Sequence, residues 1–311
     1  MLRAMDSAVA GLRAHQNKMD VIGHNLANVN TFGFKAQTYS FKEAVYQTST
    51  PSTGNSGGAG GANAAQYGYG TLMGTIGMDM TASTPTQFSG LNAAINGEGF
   101  FLTYPTAEDD LEDLIPDDKT DPTVKTIQWG YTRVGQFSLD SQGYLVDGNA
   151  NFVYGIEVDP ATGQAKPPAD ADAGYQLADL KPIRMPLDAN NNAEKADSIE
   201  VDALGRIKVV VDGVSSTIGV LAIASFQNPN GLTKAGGTYY NANDDDNTGA
   251  IEVGIPGGDN AELMPGYIEA SNVDLAKEFA EMITTHRGFQ ANSKMITVSD
   301  EMLSELVSMK R

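Results

Sequence analysis

Both ends of the chain carry an apolar or small residue at every seventh position, and the long stretch between them does not. At the N-terminal end Met5, Leu12, Met19 and Leu26 form one row, with Ala8, His15, Ile22 and Val29 in a second row three positions on. A period of 3.5 residues is the seam of a helix packed lengthwise on another helix, with His15 as its polar interruption. The same rows also fit an ordinary amphipathic helix packed on its own domain. At the C-terminal end Ser271 with Asp274 three residues later reads as a capping-box start, and Leu275, Met282, Phe289, Ile296 and Leu303 then recur at spacings of seven. A helix over 272–309 would be roughly 57 Å long and could not cover its own stripe. The two arms are therefore expected to pair with each other and with copies from neighbouring subunits. Most of their order should arrive with assembly, because tertiary packing supplies most helix stability.

Charge and turn residues separate the arms from the middle. Residues 1–50 carry a net charge of +2 and residues 273–311 of -1, so the chain's -19 comes from a centre of -20. All 13 Pro lie between Pro51 and Pro265. This is the composition of helical arms around a turn-rich β body. The chain is predicted to be α+β, its two long terminal helices forming a coiled-coil arm pair around a central antiparallel, sandwich- or barrel-like all-β domain. The divisions are an arm over 1–45, an extended or flexible connector over 46–75, the β domain over 76–265 and the second arm over 266–311.

Within the centre, FSLDSQGYLV (137–146) and IEVDALGRIKV (199–209) each read as strand, Asp-x-x-Gly turn, strand, with Gly143 and Gly205 suited to positive φ. GFFLTY (99–104), NFVYGIEV (151–158) and STIGVLAIASF (216–226) are further strand candidates. PSTGNSGGAGGANAAQYGYG (51–70) reads as the connector. The acidic run EDDLEDLIPDDKTD (108–121) fits no ligand-loop spacing and is expected as a solvated excursion, within a longer acidic stretch at 105–128. NDDDNTG (243–249) begins like a calcium loop but has Ile255 where the last ligand should be, so it reads as a turn.

Several function classes fall away. With no Cys among 311 residues, disulfide scaffolds, thiol catalysis, Fe–S clusters and Cys-based zinc sites are excluded. A pI near 4.4 argues against nucleic acid or anionic lipid as the main partner. No apolar run reaches the roughly 18 residues of a membrane span, and the N-terminus lacks the apolar core of a cleavable signal peptide. The three His (His15, His24 and His286) all lie in the arms, with no metal-binding or triad geometry around them and no phosphate-binding glycine motif elsewhere. No catalytic, metal or cofactor residue is expected.

The arms also carry specific words. DVIGHNLANVNTFGFKAQTYSFKEAV (20–45) closely resembles the N-terminal signature of the flagellar axial proteins of rod and hook. In that signature Asn25, Asn28, Gly33, Phe34 and Lys35 belong to a D-V-I-x-N-N-[IL]-A-N-x-x-T-x-G-F-K core. GYIEASNVDLAKEFAEMITTHRGFQANSKMITVSDEMLSEL (266–306) resembles their C-terminal signature, with Asn272, Val273 and Asp274 opening it. LNAAINGEGFF (91–101), GYTRVGQFSLDSQGYLV (130–146) and FQNPNGL (226–232) are similar to their middle domain. His24 departs from the usual Asn, at a helix exit where Asn25, Asn28, Asn30 and Gly33 are expected to supply turn and cap chemistry.

The resemblance implies a non-enzymatic structural subunit that polymerises with itself and adjoins rod and hook-cap or junction proteins. It implies export by the flagellar type III pathway to the cell exterior, without a cleaved signal peptide. N-V-D-L-A-K-E (272–278) and the opening M-L-R-x-M look more like a hook subunit, whereas the compact length and the connector also fit a distal rod subunit. Phe41 and Val45 look like the F-x-x-x-Φ motif that engages the export gate, although on a helix they would also be i,i+4 packing neighbours. The expected assembly surface is the seam Met5, Leu12, Met19, Ile22 and Leu26 with Leu275, Met282, Phe289, Ile296 and Leu303.

Overall fold

A computed structural model describes residues 2–54, 60–107, 128–159, 163–168, 174–186, 195–243, 246–257 and 260–309. The acidic run at 108–121 lies outside these residues, as do Asp244 and Asp245. The chain forms two compact units, one of 1–29, 36–79 and 273–311 and the other of 30–35 and 80–272.

The first unit holds helix α1, Leu2–Ala27, and helix α2, Leu275–Met309. At the end of α1, Asn28 donates from Nδ2 to the His24 carbonyl at 2.9 Å, an acceptor that also takes the Asn28 backbone N–H at 3.3 Å. The start of α2 differs from the expected one. Asp274 is the cap, accepting at Oδ1 from the backbone N–H of Ala276 (2.9 Å) and Lys277 (3.3 Å), while Ser271 lies outside the helix. At 35 residues α2 is about 52 Å long.

The rest of this unit is strand. β1 (Gln37–Glu43) pairs antiparallel with a strand at Thr71–Met78, and Tyr46–Thr50 pairs with Ala65–Gly68. Within 46–75 the described strands thus pair with one another and with β1 rather than running free. Small residues allow this. A Cβ on Gly70 (φ +100°) would come within 3.2 Å of Ser7 in α1, and one on Gly74 would lie 2.7 Å from Ser40 Oγ.

The second unit is antiparallel β structure. Thirteen of its described strands join in one network, along which Ser198–Val201, Arg206–Val211, Val214–Leu221, Phe152–Ile156 and Phe100–Tyr104 follow one another. Phe152–Ile156 also pairs with Leu145–Asp147 and Leu180–Pro182, so the network branches instead of forming one flat sheet. Both Asp-x-x-Gly hairpins are present: Gly143 (φ +81°) and Gly205 (φ +71°) donate backbone N–H to Asp140 and Asp202, each at 2.9 Å. STIGVLAIASF divides at Ala222, because Leu221 pairs with Gly155 while Ile223 pairs with Phe101 and Gly254. A hydrophobic cluster from Ala93 to Leu263, including Phe101, Leu145, Val153, Ile207 and Leu221, fills the interior. At 243–249 the described residues turn as read, with Asp246 donating its N–H to the Asn243 carbonyl.

Candidate assembly interface

α1 and α2 run antiparallel, as their cross-contacts show: Asn25 meets Glu278, Lys18 meets Glu281 at 3.0 Å, Gly11 faces Asn292 and Gly288 faces His15. α1 buries Ala8, Ala14, Val21 and Ile22. Of its expected seam, Ile22 is buried, while Met5, Leu12, Met19 and Leu26 are half-buried beside the contact line.

α2 departs further. Its buried residues are Glu278, Thr285 and Ser299, which with half-buried Asn292 form a row of small and polar side chains at spacings of seven. Met282, Phe289, Ile296 and Leu303 flank that row half-buried, and Leu275 is exposed. The reason is steric. Where Gly11 and Gly288 bring the backbones together, a Cβ on either glycine would fall 2.7 Å or less from the opposing side chain. Beside these glycines there is no room for a bulky side chain on the line, so the large apolar ones lie to the sides. The heptad period is correct, but the row that packs within the chain lies about three residues away from the predicted one.

Large apolar side chains consequently remain on the outside of α2. Phe279 (49% exposed) and Ile283 (60%) lie on one flank with His286, and Val298, Met302 and Leu306 lie on another. Met19, Met282, Ile283, His286, Arg287 and Gln290 line an open groove along the first of these flanks.

The inner ends of the helices are tied by polar chemistry. Asn25 is 1% exposed and donates from Nδ2 to the Gln37 carbonyl (2.8 Å) and to Glu278 Oε1 (3.0 Å), while its Oδ1 accepts from the Gln37 N–H (2.9 Å). It therefore joins α1, β1 and α2, a wider role than the turn chemistry expected of it. Burial pushes the Glu278 carboxyl above its ordinary pKa, opposed by the Asn25 hydrogen bond. His15 lies with its ring against Gly288 and edge-on to Phe41 at 5.4 Å. Burial, then the nearby Lys18 charge, lowers its pKa.

Phe41 lies in β1 and Val45 beyond its end, so their spacing is not helical; both are exposed, at 43% and 77%. Gly33, Phe34 and Lys35 fall in the β unit. Gly33 adopts φ +66°, donates its N–H to the Glu269 carbonyl at 2.9 Å and leaves no room for a Cβ beside Val134. Phe34 is buried under Lys234 Nζ, 4.3 Å from the ring centroid. Lys35, 1% exposed, pairs with Glu269 at 2.7 Å. Asn272 donates its N–H to the Phe34 carbonyl, and Val273 is half-buried.

Sequence reasoning missed Glu269, Arg133, Glu278 and Gly288. Only Gly288, a helix-breaking type inside a seven-residue repeat, left a local trace. Among the described residues no helix is long and apolar enough to cross a membrane, and no group of His, Asp or Glu is placed to hold a metal ion.

Comparison with known proteins matches the two ends separately. A family model described as flagella basal body rod protein covers residues 5–35, and one described as flagellar basal body rod FlgEFG protein C-terminal covers 264–309. The flagellar basal-body rod protein FlgG of Bacillus subtilis (strain 168) is 34% identical over 316 aligned residues, taking in all of both chains. The flagellar hook protein FlgE of Borreliella burgdorferi is 27% identical over 446 aligned residues, again all of both. That of Caulobacter vibrioides is 43% identical over 145 residues, which is 46% of this chain and 24% of the other.

Proposed function

Because the chain belongs to the family of flagellar axial proteins, the structural subunits of rod and hook, we propose that it is the hook subunit. In this reading copies polymerise head to tail into a curved, flexible tube that joins the rod to the filament. A contact that does not close into a ring generates such a helical assembly.

The observation that carries the assembly surface is the apolar exterior of α2. Phe279, Ile283, Met295, Val298, Met302 and Leu306 are all more than a third exposed in the single chain, more apolar surface than one helix ordinarily leaves in water. A neighbouring copy would cover them, with Met282, Phe289, Ile296 and Leu303 at the margins of the contact. Hook rather than rod is supported by N-V-D-L-A-K-E at 272–278 and by the 43% identity with a hook protein over 145 residues. The rod reading is favoured by the end-to-end match with a rod protein of 34% identity.

Delivery by the flagellar type III pathway to the cell exterior belongs to the same proposal, with Phe41 and Val45 as the contact to the export gate. Adjoining partners would be rod and hook-cap or junction proteins.

Electron microscopy of the assembled chain tests the reading. A curved, bendable tube is expected, and a straight, rigid one would replace hook by rod. Ile283→Asp should leave the single chain folded and abolish tubes, because the side chain is exposed before assembly and buried after it. Normal tubes from that variant would remove α2 from the interface.

A further inference from the structure

The β unit contains three buried charges that the assembly reading does not use. Lys35 Nζ lies 2.7 Å from Glu269 Oε1, and Arg133 Nε lies 3.4 Å from Glu269 Oε2; all three side chains are at most 2% exposed. Further contacts of the cluster join a few chain passages, with Lys234 Nζ also donating to the Lys35 carbonyl at 3.1 Å. Lys35 Nζ also donates to the Thr81 carbonyl at 2.7 Å, and the Ser83 N–H donates to Glu269 Oε1 at 3.0 Å. Gly33 N–H reaches the Glu269 carbonyl, and Ser83 Oγ donates to the Ser271 carbonyl at 3.0 Å. Arg133 is anchored on the core side, both terminal nitrogens donating to the Gly97 carbonyl at 2.7 and 2.8 Å.

These passages are residues 30–35, 81–83 and 267–272. None of them belongs to the hydrophobic cluster that runs from Ala93 to Leu263. They bury apolar residues of their own, Phe34 and Ile268, and 267–269 pairs with 85–87, while Arg133, anchored on the core side, holds them through Glu269. Such a cluster behaves in an all-or-none way. Desolvated charges are favourable only when every partner is in place, and a half-made set is worse than none. Closing it also joins residues 234 apart in sequence, at a loop-closure cost that must be met before the contact returns any stability.

We infer that residues 30–35, 81–83 and 267–272 form a latch on the β unit. It shuts after the core has folded, opens before the core unfolds, and is held shut by Glu269 between Lys35 and Arg133. The charge arithmetic sets the order of importance. Removing Lys35 leaves one complete ion pair, whereas neutralising Glu269 leaves two buried cations without their shared anion. The latch also gives the G-F-K signature a physical role: Gly33 turns the strap onto Glu269, Phe34 seats it and Lys35 locks it.

Native-state hydrogen exchange of the full chain at rising urea tests this. The amides of Gly33, Ser83 and Asn272 should exchange through a smaller opening, at lower urea, than the core amides of Leu145, Ile183 and Leu221. In Glu269→Gln the first set should lose its protection while the core set stays protected; Lys35→Met should reduce protection of the first set by a smaller factor. The latch is overturned if both sets exchange together at every urea concentration. It is equally overturned if Glu269→Gln strips the core set, or if Lys35→Met costs as much as Glu269→Gln.

Discussion

Two helical glycines in the first unit test how the helix pair is built, because identical substitutions should move stability in opposite directions. Gly23 lies inside α1 and Gly288 inside α2. In a helix interior Gly→Ala gains about 1 kcal/mol when nothing else changes. A Cβ at Gly23 meets nothing within 4 Å, so Gly23→Ala should realise that gain. At Gly288 the new Cβ would fall 2.6 Å from Cε1 and 2.7 Å from Nε2 of His15. Ordinary contact begins at 3.4 Å, so the ring would have to retreat by about 0.8 Å. It has little room to do so, because Phe41 lies edge-on to it at 5.4 Å and its Nδ1 is buried. Overpacking of this kind costs about 1–3 kcal/mol, which cancels or exceeds the helical gain. The two variants should therefore differ by roughly 1–3 kcal/mol. With a urea dependence of about 1–3 kcal/mol per molar, their helical unfolding midpoints separate by about 1 M. Far-UV circular dichroism of the full chain in urea reads this directly. In a His15→Ala background the obstruction is gone, and Gly288→Ala should then stabilise as Gly23→Ala does. If Gly288→Ala raises the midpoint of the unaltered chain as much as Gly23→Ala, the close approach of the two helices is refuted.

Three further outcomes are expected. Asn25→Ala deprives Gln37 N–H and Glu278 of buried partners and should lower helix-pair stability by about 2–3 kcal/mol, with a smaller loss for Asn28→Ala at its exposed site; equal losses would remove Asn25 as the tie. His15 has a folded pKa below its ordinary 6.5, so its contribution is complete above pH 6.5 and is lost as pH falls through the folded value. Urea midpoints should accordingly fall on acidification from pH 6.5, less so in His15→Gln, while Glu278, whose pKa is raised, works in the opposite direction at lower pH; a His15→Gln profile identical to the parent's would discount the histidine. In the β unit a Cβ at Gly135 would lie 1.8 Å from the Ala93 carbonyl oxygen and break the Ala93 N–H bond to Gly135. Gly135→Ala should cost about 3 kcal/mol or more, whereas Gly148→Ala, in open space, should be neutral or stabilising by up to about 1 kcal/mol, as thermal melting would show.

Much of the architecture was legible because it rests on local rules. The seven-residue rows announced both helices, Asp-x-x-Gly announced both hairpins, and the absence of Pro from the ends marked where helix could run. The errors share one origin. Heptad arithmetic ranks positions by side-chain apolarity, so it chose Leu275, Met282 and Phe289 as the seam. The real intramolecular seam is set by how closely two backbones approach, and that distance favours Gly11, Gly288, Thr285 and Ser299. The turn chemistry at 25–33 announces the end of the first helix, but nothing local says that Phe41 then lies in a strand; the pairing of β1 with Thr71–Met78 decides that.

What the sequence determined by itself is whatever depends on neighbours along the chain: helical ends, a turn-rich acidic centre, the two Asp-x-x-Gly turns and the signature words that tie the chain to rod and hook proteins. What only the tertiary structure decided is which face of each helix is spent within the chain and which is left for a partner. It alone also revealed that Lys35 and Arg133 both find Glu269, and that Asn25 finds Glu278. Those partners lie more than a hundred and thirty to more than two hundred and fifty residues away. No periodicity reaches across such a distance; the pairs form because folding takes water from each group and leaves one opposite charge or hydrogen-bond partner within reach.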